Sequence, residues 1–219
     1  MGSNIEELLR LFDSKIDEIE RLKNQVLDFF ATNKQLQIGN PPIIHSLKAR
    51  IKNREHLRRK IERKISDGRP IDASNFFGEI TDLAGIRIIH LYQDQFPMIH
   101  EAIQTQIQKG YWILGEQPKA YTWDPESKVF FENLGLYVSQ KDSFYTSIHY
   151  LVKPHKDFPF LCEIQVRTLF EEIWGEIDHS MNYPEPTSNI ACIEQLRVLS
   201  KLVGAGSRLA DSIFRVQNS

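Results

Sequence analysis

Residues 84–92 read Ala84-Gly85-Ile86-Arg87-Ile88-Ile89-His90-Leu91-Tyr92. The run is short, almost wholly apolar and rich in isoleucine. Those properties predict a strand covered on both faces, and therefore a central one. Asp82 stands just before it. Downstream, residues 146–153 and 160–167 read as two further strands. The stretch from Pro154 to Pro159 joins them as a hairpin. Upstream, residues 44–52 alternate, with Leu47, Ala49 and Ile51 on one side and Lys48, Arg50 and Lys52 on the other. That is a half-buried strand with a cationic face.

Helical patterns surround these strands. Ile5, Leu9, Phe12, Ile16, Ile19, Val26 and Phe30 predict a helix over 5–32, with Asn4 as its N-cap. Asn53 caps a predicted helix over 54–65, striped by Leu57, Ile61 and Ile65. Residues 96–109 predict a helix with Ile99, Ala102, Ile103 and Ile107 inward. Thr168 and Glu171 form a capping box at the head of a helix over 169–182. That helix is expected to bury Leu169, Phe170, Ile173, Trp174, Ile177 and Met181. A last helix, 189–216, carries Ile190, Ile193, Leu196, Leu199, Val203, Leu209, Ile213 and Val216 as its apolar stripe. Gly204 and Gly206 predict a bend or a split midway along it. Residues 111–144 show no clear period and predict a strand or two with a long loop. Gly39-Asn40-Pro41-Pro42 breaks the chain. The expected division is an N-terminal helical extension (1–40), a central domain (41–187) and a C-terminal helix (188–219). The class is α+β with a mostly antiparallel or mixed sheet.

Composition narrows the function. The chain has 219 residues, 41% hydrophobic and 26% charged, which suffices for a packed core and argues against disorder. Its net charge of −2 excludes a generally basic nucleic-acid coat and a polyacidic tail. Two cysteines, Cys162 and Cys192, exclude a disulfide scaffold and a CxxC knuckle. No apolar run approaches the roughly 18 residues of a membrane span. The first residues lack the basic and apolar regions of a secretory signal. The expected location is the cytoplasm, with no membrane partner.

Three features could carry chemistry. Period two puts Glu163, Gln165 and Arg167 on one strand face, and Tyr145, Ser147 and His149 on one face of the neighbouring strand. Such a face is a solvated sheet surface or the floor of a polar cleft; the repetition on adjacent strands favours the cleft. Asp82 at the mouth of the apolar strand has two open readings: a turn cap, or a Mg²⁺ ligand together with Glu163. The run Lys48, Arg50, Lys52, Arg54, Arg58, Arg59, Lys60, Arg63 and Lys64 is a local positive field in a nearly neutral chain. It suits a polyphosphate or a nucleic-acid backbone, and its helical members also suit a solvated helix face. There is no P-loop, GxGxxG, HExxH or nucleophile elbow. The histidines show no metal-ligand spacing, and His45, His56, His100 and His155 read as surface residues.

Five segments together resemble the RelA/SpoT synthetase domain family in its small single-domain form. They are His45-Ser46-Leu47-Lys48-Ala49-Arg50-Ile51-Lys52 with Lys60 beyond it; Asp82-Leu83-Ala84-Gly85-Ile86-Arg87; Tyr145-Thr146-Ser147-Ile148-His149-Tyr150; Glu163-Ile164-Gln165-Val166-Arg167-Thr168; and Trp174-Gly175-Glu176-Ile177-Asp178-His179 with Asn182-Tyr183. The resemblance implies a nucleotidyltransferase-like mixed sheet of about five strands flanked by helices, here with helical N- and C-terminal extensions. It implies transfer of the β,γ-pyrophosphate of ATP to the ribose 3′-hydroxyl of GDP or GTP, giving (p)ppGpp, with Mg²⁺ as cofactor. It assigns ATP binding to Arg50, Lys52, Lys60 and Arg87. Asp82 and Glu163 become catalytic residues and metal ligands, with Glu163 as second ligand or as base. Tyr145 stacks on the acceptor base, and His149, Gln165 and Lys141 are its polar neighbours.

The resemblance departs at Gln140-Lys141-Asp142-Ser143-Phe144. Many members carry glycine directly before the stacking tyrosine, in a lysine-rich loop. Here Lys141 is the one base and Phe144 holds the glycine position. A second acceptor class therefore stays open, the tRNA 3′ end or an adenosine nucleotide, as in growth-inhibiting toxin members. That class would bring an antitoxin protein as partner. The terminal helices could pack on each other or build a homo-oligomer.

Overall fold

The computed structural model describes residues 2–140, 144–182 and 185–218. Its elements run α1 (Gly2–Thr32), β1 (Ser46–Ile51), α2 (Arg54–Ser66), α3 (Phe76–Glu79), β2 (Ala84–His90), α4 (Phe96–Gln108), β3 (Ile113–Leu114), β4 (Lys119–Thr122), α5 (Pro125–Asn133), β5 (Tyr137–Gln140), β6 (Ser147–Lys153), β7 (Cys162–Thr168), α6 (Leu169–Asn182) and α7 (Ile190–Gln217). The described strands form a seven-stranded sheet in the order β1-β2-β7-β6-β4-β5, with β3 also on β6. β2 and β7 are parallel, as are β4 and β5; the other pairs are antiparallel. The sheet is mixed, as expected, with seven strands rather than about five.

One face of the sheet is core. Ile86, Ile88, Ile148, Tyr150, Ile164 and Val166 are buried together with Leu8, Leu9, Phe12 and Ile19 of α1. The other face follows from register. Lys48 pairs with Arg87, Arg87 with Gln165, Gln165 with His149, and His149 with Lys119. Polar side chains from five strands thus share one row, and the sheet rather than the chain assembles them.

Local expectations hold where local chemistry decides. Asn53 accepts from the backbone of Glu55 and His56 at the start of α2. Thr168 and Glu171 make both bonds of the capping box, at 2.6 and 3.2 Å. Several expectations need correction. Asn4 lies inside α1, and its side-chain amide donates to the Ile71 carbonyl at 3.3 Å. Residues 111–140 hold β3, β4, α5 and β5 in place of a long loop. The missed signal was Asp124-Pro125: Asp124 caps α5 and Pro125 opens it. His100 is half-buried, with Nδ1 2.7 Å from the Tyr150 hydroxyl.

The terminal helices depart most from expectation. α7 is continuous through Gly204 and Gly206. Its buried side is Leu196, Ser200, Ser207 and Asp211, whereas Leu209, Ile213 and Val216 of the predicted stripe are exposed, as is Leu202. On α6, Trp174 is buried but Ile173, Ile177 and Met181 are exposed. The cause is close approach. A Cβ at Gly206 would meet the Phe170 ring at 2.8 Å, and one at Gly204 would meet Trp123 at 3.7 Å. The small side of α7 packs inward and the apolar side faces out.

Candidate active site

Parity and register build a cleft on the polar face. One cavity, of about 290 Å³, is lined by Lys48, Arg50, Asp82, Arg87, Glu163 and Glu176, among others. A second, of about 330 Å³, is lined by Tyr145, Arg167, Asp178, His179 and Asn182. Both share Arg50, Arg87, Gln165 and Glu176, so they are two lobes of one cleft.

Asp82 lies between the end of α3 and the start of β2. Lys52 Nζ and Lys60 Nζ donate to its two oxygens at 2.7 and 2.8 Å. Burial works to raise the Asp82 carboxyl, but the two lysines outweigh it and hold the pKa down at about 2. Burial pulls Lys52 below its ordinary value, with Lys60 and Arg50 adding to the effect and Asp82 opposing it. Asp82 is therefore firmly ionised, while Lys52 and Lys60 serve it from behind the cavity.

Glu163 sits on β7 opposite Gly85. His149 Nδ1 lies 3.1 Å from its Oε1, and Gln165 Nε2 donates to its Oε2 at 2.8 Å. Burial raises the Glu163 carboxyl and the charge on Asp82 adds to that, yet the His149 and Gln165 contacts keep it below the usual range. Two ionised carboxylates thus face one cavity. That arrangement suits Mg²⁺, which takes one or two carboxylates and fills its remaining positions with water and substrate phosphate. Among the described residues no cluster of three or more His, Cys, Asp or Glu is placed to hold a metal ion.

Two cations of the first lobe, Arg87 and Lys48, are engaged internally. Arg87 Nη1 donates to Glu172 at 2.8 Å and to Glu176 at 2.7 Å, and Lys48 Nζ donates to Glu172 at 2.7 Å. Of these two acids Glu176 is the exposed one, at 57% against 5% for Glu172. Tyr145 borders the second lobe with its hydroxyl 3.0 Å from His149 Nε2, and burial raises that hydroxyl's pKa. Phe144, directly before it, has φ 59°, a left-handed backbone that costs a non-glycine residue about 1–3 kcal/mol. Its ring packs on Trp123 at 5.3 Å, with Arg197 over it at 5.9 Å.

Residues 49–188 match the family described as the region found in RelA/SpoT proteins. The chain belongs to the RelA/SpoT family. No curated protein sequence matches it. Among solved structures, this RelA/SpoT-family chain is similar to small alarmone synthetase 1 from Bacillus subtilis, at 19% identity and a TM-score of 0.66, over 96% of this chain and 97% of that one. It is also similar to smu.1046c from Streptococcus mutans UA159, at 20% identity and TM-score 0.65, over 95% and 94%. A GTP pyrophosphokinase family protein from Streptococcus pneumoniae matches at 18% identity and TM-score 0.64, over 95% and 92%. The Bacillus protein has been solved bound to pppGpp and to AMPCPP. At these identities the likeness establishes the fold.

The cleft of this RelA/SpoT chain gathers Arg50, Asp82, Arg87, Glu163, Gln165 and Tyr145, with His149 behind Glu163 and Lys52 and Lys60 behind Asp82. Lys141 and Tyr183 lie outside the described residues. Sequence reading gave no site role to Glu172 and Glu176, and it placed Lys48 in the positive field and Arg167 on the cleft face without assigning either a task. Lys48 shares a strand face with Arg50, and Arg167 one with Glu163. Glu172 and Glu176 are one helical turn apart on α6, which is where a pair meeting the same cation would stand.

Proposed function

We propose that this protein transfers the β,γ-pyrophosphate of ATP to the 3′-hydroxyl of GDP or GTP. One observation carries the reading: two ionised carboxylates, Asp82 and Glu163, stand in a cationic lobe that opens into a lobe bordered by Tyr145. Lys48, Arg50 and Arg87 hold the triphosphate in the first lobe. Tyr145 presents a ring for the acceptor base in the second. Asp82 and Glu163 would hold Mg²⁺, which when bound offsets phosphate charge. The acceptor 3′-oxygen forms a bond to the β-phosphorus, and the bond from that phosphorus to the α,β-bridging oxygen breaks. AMP leaves with the electron pair, and the hydroxyl proton passes to Glu163. Positioning and charge supply the rate, because phosphoryl transfer asks for little covalent help.

A second acceptor class has its own support. Arg87 and Arg167 at the second lobe both pair with Glu172, and Glu176 and Asp178 add acid there. Such a lobe is poorer for a 5′-polyphosphate and better for the 3′ end of tRNA or an adenosine nucleotide with a single 5′-phosphate. That acceptor would make the protein a growth inhibitor with an antitoxin partner.

The test is one labelling experiment. Protein, Mg²⁺ and γ-labelled ATP are offered GDP, GTP, AMP, ADP or deacylated tRNA in parallel. Label on a guanosine nucleotide is expected, and Glu163→Gln should lower it by about 10²–10⁴-fold. Label on RNA or adenosine alone selects the second acceptor. No transfer to any acceptor overturns the reading.

A further inference from the structure

Arg167 has no task in the transfer step above, yet its side chain is 4% exposed and ends inside the cleft wall. One of its nitrogens, Nη2, donates to two acceptors: the Tyr145 hydroxyl and Gln165 Oε1, each at 2.7 Å. Each contact begins an arm. Gln165 passes on from its other amide atom, Nε2, to Glu163 Oε2 at 2.8 Å. The Tyr145 hydroxyl lies 3.0 Å from His149 Nε2, and His149 Nδ1 lies 3.1 Å from Glu163 Oε1. Two arms leave one guanidinium nitrogen and end on the two oxygens of one carboxylate.

Chemistry fixes the direction of the Gln165 arm, and of the Tyr145 arm for a neutral His149 ring. A guanidinium only donates, and a carboxylate ionised at neutral pH only accepts. His149 Nδ1 must then carry the proton that meets Glu163. In the neutral ring Nε2 accepts, so the Tyr145 hydroxyl donates to it while accepting from Arg167. Gln165 must turn its carbonyl to Arg167 and its amino group to Glu163. Every donor in the circuit points toward Glu163, and no member can reorient alone without losing a bond.

Gly175 is what admits the guanidinium. It lies in the interior of α6, where glycine is a weak helix former. A Cβ there would stand 2.7 Å from Arg167 Nη1, the nitrogen that donates to Glu172 at 3.3 Å. We propose that Arg167 is a positioning residue that holds Glu163, His149 and Tyr145 in one orientation through these two arms, and that residue 175 is glycine to leave room for it. The inference rests on the reading of Glu163 as the group that meets the acceptor hydroxyl.

Two measurements test it. In the intact protein, nitrogen NMR of the His149 ring should find a single proton, on Nδ1; a ring protonated on Nε2, whether neutral or cationic, overturns the circuit. This result is independent of any activity. Turnover is then compared for wild type, Gly175→Ala, Tyr145→Phe and the double variant, each checked for a native unfolding transition. Each single variant should lower kcat about 10–100-fold, the usual cost of removing a supporting contact, with the KM for ATP held within about twofold. Because both act through one circuit, the double variant should be no worse than the poorer single one. Losses that multiply, as independent structural damage would make them, overturn the proposal, and so does unchanged kcat in Gly175→Ala. Absence of transfer by wild type to every acceptor would instead remove the functional reading, leaving the ring measurement to decide the circuit.

Discussion

Lys52 Nζ stands 2.7 Å from Asp82 Oδ2, and both side chains are largely withdrawn from water, at 12% and 16% exposure. Lys60 closes the other oxygen. The carboxylate at the mouth of β2 is thus a structural ion pair as well as a cleft group. Its chemistry at the site and its contribution to folding come from the same charge.

That linkage has a sign. The Asp82 pKa falls from 3.8 to about 2 on folding, worth roughly 2 kcal/mol. A depressed acid stabilises the fold above its unfolded pKa, and the contribution fades as pH falls from about 4 through 2. Asp82→Asn should therefore be less stable than wild type near neutral pH, with the gap closing in acid. Chemical denaturation at a series of pH values measures this; a gap constant down to about pH 2 would contradict it.

Glu171 runs the other way. Burial raises it from 4.5 to about 7, against the Thr168 contacts that lower it. Folding then favours the neutral form, a contribution present below about pH 4.5 and lost as pH rises through about 7. Glu171→Gln keeps an acceptor for the Thr168 backbone and cannot ionise. It should match wild type near pH 4 and exceed it by on the order of 1 kcal/mol or more near pH 8. Melting curves at the two pH values decide.

Glu176 competes with any anion for Arg87, at 2.7 Å, and stands 3.8 Å from Lys48. Glu176→Gln should leave Arg87 and Lys48 with Glu172 as their remaining carboxylate partner and tighten a non-hydrolysable ATP analogue by about 2–5-fold, the scale of an exposed ion pair. Calorimetric titration gives the constant. Weaker binding would mean that Glu176 contacts the nucleotide complex favourably.

The two glycines of α7 should respond oppositely to alanine. At Gly204 the added methyl meets Trp123 at an ordinary 3.7 Å, so helix propensity dominates and stability should rise by about 0.5–1 kcal/mol. At Gly206 it meets the Phe170 ring at 2.8 Å, and overpacking should cost about 1–3 kcal/mol. Equal effects at the two positions would show that α7 does not pack on Phe170 as described.

What the sequence by itself determined is local. The period of two placed Glu163, Gln165 and Arg167 on one face, because alternation is a property of any strand. The caps at Asn53 and Thr168 set helix starts, because their bonds reach only a few residues along the chain. Asp124-Pro125 carried the same kind of signal for α5 and was obscured by an aperiodic neighbourhood. Hydrophobic spacing found α7 but not its orientation, since two sides of that helix can pack and glycine contacts decide between them. Tertiary structure alone decided which partners meet. Asp82 finds Lys52 and Lys60, Arg87 finds Glu172, and Arg167 reaches Glu163 by two arms. These meetings depend on strand order and on the β2–β7 register. Both arise from contacts between segments far apart in the chain, and no spacing within one segment encodes them.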